Sequence, residues 1–182
     1  MHLGRWKVLF SLLSAGVLAT MLLSTAFASE HTGQEDRHFV EDEGSGNLME
    51  ITLGQLAQTH ASSDAVKTFG QRMITDHSRL RDTLAVVAPQ VSITPPTTLL
   101  PEHQAAVNWL STLSGTAFDQ AYMRFMVVDH TGDLVAYESE IARGAKNELK
   151  AYANDNVQTI ADHLALAHSV AASIGADVSI SR

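Results

Sequence analysis

Three Asp-His dipeptides are the part of this sequence best equipped for chemistry: Asp76-His77, Asp129-His130 and Asp162-His163. Chance would supply about 0.5 such pairs in a chain of this composition. Neutral imidazole offers one ring lone pair and carboxylate offers anionic oxygen, so the two types meet at metal sites and in buried pH-sensing networks. Each histidine interrupts an apolar stripe of helical period. Met123, Met126, His130, Leu134, Tyr137 and Ile141 follow at steps of three or four, as do Val66, Phe69, Met73, His77, Leu80, Leu84 and Val87. Val157, Ile160, His163 or Leu164, Ala167 and Ile174 make the third stripe. Three helices thus each turn one imidazole toward a common core.

A fourth donor comes from Glu50, beside the stripe Met49, Leu53, Leu56 and Ala57. The expected metal set is Glu50, His77, His130 and His163, with Asp133 one turn after His130 on the same face. Asp76, Asp129 and Asp162 point about 100° away around their own helices. From there they are expected to hydrogen-bond a ring nitrogen on an adjacent helix and fix its tautomer. The implied cofactor is one or more transition-metal ions: iron, zinc or copper. Met73 and Met126 would favour copper(I) if their sulfurs shared the cavity, and otherwise fill the core. The competing readings are a solvated Glu50 and a purely structural His–Asp network.

Other chemistry is poorly represented. His130-x-x-Asp133 reverses the Glu-x-x-His order of di-iron bundles. The chain has no cysteine, which excludes disulfides and thiolate ligands. Ser78 lacks a glycine elbow, and no phosphate loop is present. His31, His38, His103 and His168 read as peripheral, and Phe118, Tyr122, Phe125 and Tyr137 as packing.

The elements that position these residues can be drawn from breaks in the pattern. Residues 1–28 read as an export signal: Arg5 and Lys7, an apolar run from Val8 to Leu23, then Ala26-Phe27-Ala28. Residues 29–35 read as a polar lead-in, 36–175 as one helical domain, and 176–182 as a tail. A first helix is predicted from about Asp36 to His60, broken or kinked at Gly44-Ser45-Gly46. A second follows the short turn at Ala61–Ser63 and ends at Pro89, with Ser63 as N-cap. The proline-rich 89–101 segment is an extended connector, and Glu102 to Leu113 a short helix. Thr116 and Asp119 suggest a capping box for a third long helix to Arg143. The fourth runs to Ile174, closed by Gly175, with Asn154-Asp155-Asn156 a point of distortion. The fold class is therefore all-α: a ferritin-like four-helix bundle, two antiparallel pairs joined by a long crossover that holds one short extra helix.

Several runs resemble an exported bacterial family, domain-of-unknown-function family 4142. They are Met49-Glu50-Ile51-Thr52-Leu53-Gly54-Gln55-Leu56-Ala57, Val66-Lys67-Thr68-Phe69, Met73-Ile74-Thr75-Asp76-His77-Ser78, Gly115-Thr116-Ala117-Phe118-Asp119, Tyr122-Met123, Asp129-His130, and His163-Leu164 with Ala167. The resemblance spans about Asp36 to Ile174 and implies a ferritin-like fold and a periplasmic or envelope location. It supplies no activity. The outer-membrane label attached to such proteins does not suit a chain without barrel strands or a second apolar span.

Formal charge is −8, and −10 once Arg5 and Lys7 leave with the signal, which disfavours nucleic acid and anionic lipid. No membrane insertion is expected after signal cleavage. A protein partner and self-association stay open. Two functions follow: metal binding at the His/carboxylate site, or an envelope stress or interaction module whose histidines are structural.

Overall fold

A computed structural model of the chain describes residues 9–178, with side chains described from Gly33 onward. It contains five α-helices: α1 (Leu9–His60), α2 (Asp64–Val87), α3 (Pro101–Leu110), α4 (Gly115–Arg143) and α5 (Asn147–Ser173). A 3-10 turn, Ala88–Val91, follows α2, and there is no strand among the described residues. The export signal expected over 1–28 falls largely outside the description. Nothing is described of 1–8, and only a helical backbone of 9–32.

α1 departs from the sequence expectation. It is continuous through 29–35 and through Gly44-Ser45-Gly46, where a break was predicted. Glycine costs about 1 kcal/mol in a helix interior, but tertiary packing commonly outweighs that. Here the small residues form a bed for the crossover. A Cβ on Gly44 would stand 2.7 Å from Pro96 Cδ. Ser45 Oγ accepts from the Leu100 amide at 2.7 Å and lies 2.6 Å from His103 Nδ1.

Short turns make α1 pack against α2, and α4 against α5, while α1 also meets α4 and α2 meets α5. Gly54 and Gly70 let the first pair approach closely: a Cβ on Gly54 would sit 2.5 Å from the Gly70 carbonyl oxygen. The α1–α2 turn is capped from outside. Asp119 accepts from Ser62 N (3.1 Å), Ser62 Oγ (2.5 Å) and Ser63 N (3.0 Å). The predicted Thr116/Asp119 box is therefore not formed; α4 starts at Gly115, behind Ser114, and Asp119 serves α2 instead. Asp36 likewise accepts from Ala145 N at 2.7 Å and pins the α4–α5 turn. Gly175, at φ +67, ends α5. α5 runs unbroken through Asn154-Asp155-Asn156, where Asn156 Nδ2 donates back to the Tyr152 carbonyl at 2.8 Å.

The core is divided. One apolar cluster contains Met49, Leu53, Phe69, Met73, Tyr122, Met126 and Ala167. The other contains Phe39, Val40, Leu80, Leu84, Tyr137, Leu149 and Ile160. On every long helix the buried side chains between these two sets are polar: Glu43, Ser45, Asn47 and Glu50 on α1, His77 on α2, His130 on α4 and His163 on α5. That polar layer is where the candidate site lies.

Candidate metal centre

The layer receives one histidine each from α2, α4 and α5, and a glutamate from α1. His77, His130 and His163 are 2%, 0% and 1% exposed, and Glu50 is 2% exposed. Their rings form a triangle with centroids 5.2 Å (His77–His163), 5.4 Å (His130–His163) and 5.7 Å (His77–His130) apart. One nitrogen from each ring lies within 4.8 Å of one from each of the others. A tetrahedral ion with bonds of about 2.0–2.1 Å holds nitrogens about 3.4 Å apart, so only small side-chain rotations separate the triangle from a ligand set.

The position of each ring proton decides what the triangle can do. His130 Nδ1 donates to the Met126 carbonyl at 3.0 Å, and His163 Nε2 to Asp76 Oδ2 at 2.8 Å. His77 Nδ1 lies 2.9 Å from Asn47 Oδ1 and 2.5 Å from Glu50 Oε2, both acceptors. The Asn47 amide is oriented by its Nδ2, which donates to the Glu43 carbonyl at 2.7 Å. A neutral imidazole carries one N–H, so the opposite nitrogens must carry lone pairs. Those atoms, His77 Nε2, His130 Nε2 and His163 Nδ1, are all buried without a hydrogen-bond partner among the described residues.

Burial keeps the rings neutral. It lowers His77 to about 3 and His163 to about 4, and holds His130 well below its ordinary range, with neighbouring histidines adding to the last two. Asp76 is partly exposed. Burial pushes it up, but hydrogen bonds from Arg72 and His163 and the Arg72 charge outweigh that and lower it.

The carboxylates behave oppositely. Glu50, Asp129 and Asp133 are all raised well above the usual range, first by burial; charge repulsion within the acidic set adds to it for the two aspartates, while a hydrogen bond from Asp129 partly offsets it for Glu50. Glu50 Oε1 lies 3.1 Å from His130 Nε2, yet neither atom makes a hydrogen bond. Two acceptors at that distance need a proton or a cation between them. Glu50, Asp129, His130 and Asp133 each offer a donor atom within 4.8 Å of the others.

A family model for a domain of unknown function, DUF4142, matches residues 22–170. The chain belongs to this family. Its fold is similar to the crystal structure of a protein described as secreted, DUF305 from Streptomyces coelicolor. That likeness has a TM-score of 0.66 at 15% identity and covers 81% of this chain and 97% of the other. No curated protein matches the chain at a significant level. Among the described residues no helix is long and apolar enough to cross a membrane.

Within this family member, the structure brings Glu50, His77, His130, His163, Asp76, Asp129 and Asp133 to one layer. Asp162 is not among them: it is exposed and accepts from Gln158 on its own helix at 2.8 Å. Asp129 joins the acidic group with Glu50 rather than supporting a ring nitrogen. Met73 and Met126 are fully buried in an apolar cluster, and Met126 meets the site through its carbonyl. His103 bonds Ser45, and His168 is exposed.

Two contributors escaped the sequence reading, Glu43 and Asn47. Tyr137 donates to Glu43 Oε2 at 2.7 Å, and Glu43 is raised to about 8, mainly by burial. The signal was present: 43, 47 and 50 follow at steps of four and three, the same helical face. The expected break at Gly44-Ser45-Gly46 concealed it.

Proposed function

We propose that the chain is an exported ferritin-like four-helix bundle that binds a transition-metal ion through His77, His130 and His163, with Glu50 closing the set. One observation carries this reading: three buried imidazole nitrogens converge, each presenting its lone pair because the opposite nitrogen donates its N–H to the Met126 carbonyl, to Asp76 or to the Asn47/Glu50 pair. The donor chemistry suits zinc, copper or iron. An ion there would supply Lewis-acid or redox chemistry. The chain's own residues orient the rings and shut out water, which favours binding or buffering over turnover. The secreted description of the structural neighbour and the apolar run at residues 8–23 support export to the envelope.

A structural His–Asp network is the rival, favoured by the Asp76–His163 bond. Such a network would give each imidazole nitrogen a partner, whereas His77 Nε2 and His163 Nδ1 have none among the described residues and His130 Nε2 faces only Glu50 Oε1 at 3.1 Å. Metal-free protein loaded with Zn2+, Cu2+ or Fe2+, desalted and measured by elemental analysis, tests the proposal. At least one ion per chain is expected, lost when His77→Ala and His130→Ala are combined while helical circular dichroism persists. Stoichiometry unchanged in that double variant would overturn it.

A further inference from the structure

We infer a second cation position beside the first, formed by Asp129 and Asp133 with Glu50 shared between the two ions, and suited to a harder divalent ion such as Mn2+. The inference rests on the metal-binding reading of the histidine triangle. Glu50, Asp129, His130 and Asp133 make a donor group of their own, every member within 4.8 Å of the others, joined to the triangle through His130. His130 Nε2 has one lone pair and can bind only one ion. The layer therefore presents six side chains, three imidazoles and three carboxylates, which exceeds the four ligands a structural tetrahedral ion takes.

Charge points the same way. Carboxylates drawn into the interior need compensation when ionised, Glu50 fully buried and Asp129 and Asp133 partly so, and none of the Lys or Arg ion pairs between described residues involves these three acids: Arg72 pairs with Asp76, and Arg143 with Glu35. One dication at the imidazoles leaves the acidic side in excess. The second observation is burial of atoms without a hydrogen-bond partner within the acidic group: Glu50 Oε1, on a residue 2% exposed, and Asp129 Oδ2. Ligand type divides the ions. Imidazole nitrogens take zinc or copper, and an all-oxygen set takes manganese or magnesium.

The test uses the whole chain, loaded with one equivalent of Zn2+ and titrated with Mn2+. Bound Mn2+ is read from loss of the six-line resonance of the free ion. One Mn2+ per chain is expected beyond the Zn2+. Asp129→Asn with Asp133→Asn should weaken Mn2+ at least tenfold while Zn2+ remains, and Asp129→Glu, which keeps the carboxylate, should retain it. Zinc bound with no Mn2+ uptake, or Mn2+ uptake unchanged by the double Asn variant, would overturn the second position and leave the first standing. No Zn2+ bound at all would overturn both.

Discussion

Asp76 shows how a single side chain outside the triangle governs a ring within it. Its carboxylate holds the proton of His163 Nε2 at 2.8 Å, so that Nδ1 faces inward as a lone pair. Asn at this position keeps an acceptor but loses the charge that raises ring basicity. Asp76→Asn should therefore weaken metal binding about 10–100-fold, measured by competition with a chromophoric chelator. Glu43 makes a different prediction. Its folded value near 8 lies above the ordinary 4.5, so between those limits the native state holds more protons than the unfolded chain. Its contribution to stability is full below about pH 4.5 and is lost as pH rises through 8. Glu43→Gln should thus diminish the fall in urea midpoint of the metal-free protein between pH 5 and 8. An unchanged slope would show that Glu43 is not held neutral.

At the scale of elements, the site depends on how closely α1 approaches α2, because Glu50 and His77 sit on those two helices. Gly54→Ala should gain up to about 1 kcal/mol in helix propensity but cost about 1–3 kcal/mol through the collision with the Gly70 carbonyl. The net is destabilising. Gly132→Ala on α4, where an added Cβ meets nothing within 4 Å, should instead stabilise by up to about 1 kcal/mol. Urea unfolding of the two variants separates these signs. Much of the arrangement was legible in the sequence. Helical period placed His77, His130 and His163 inward and Glu50 beside an inward stripe, and short turns with a rise of about 1.5 Å per residue put them at similar heights. What was not legible depended on distant partners. Gly44-Ser45-Gly46 reads locally as a breaker, and the residues packed against it, Pro95, Pro96, Leu100 and His103, lie more than 50 positions away in sequence. Asp119 reads as a local cap, but the amides it serves lie 56 and 57 residues away.

For the molecule as a whole, the polar layer cuts across the interior between the two apolar clusters. It separates two clusters that could have formed one continuous core. Without a cation the layer must keep its acids protonated and its imidazoles neutral. A bound ion offsets that burden, so metal should stabilise the fold by mass action, by about 2.7 kcal/mol at a free concentration 100 times the Kd. The thermal midpoint should rise with Zn2+ and return with chelator, and a midpoint indifferent to both would favour the structural network. Most direct is X-ray absorption at the zinc edge of the loaded protein. About three imidazole nitrogens at about 2.0–2.1 Å with outer-ring scattering are expected, reduced in His130→Ala. A spectrum of oxygen ligands alone, or one that His130→Ala leaves unchanged, would contradict the metal-binding reading.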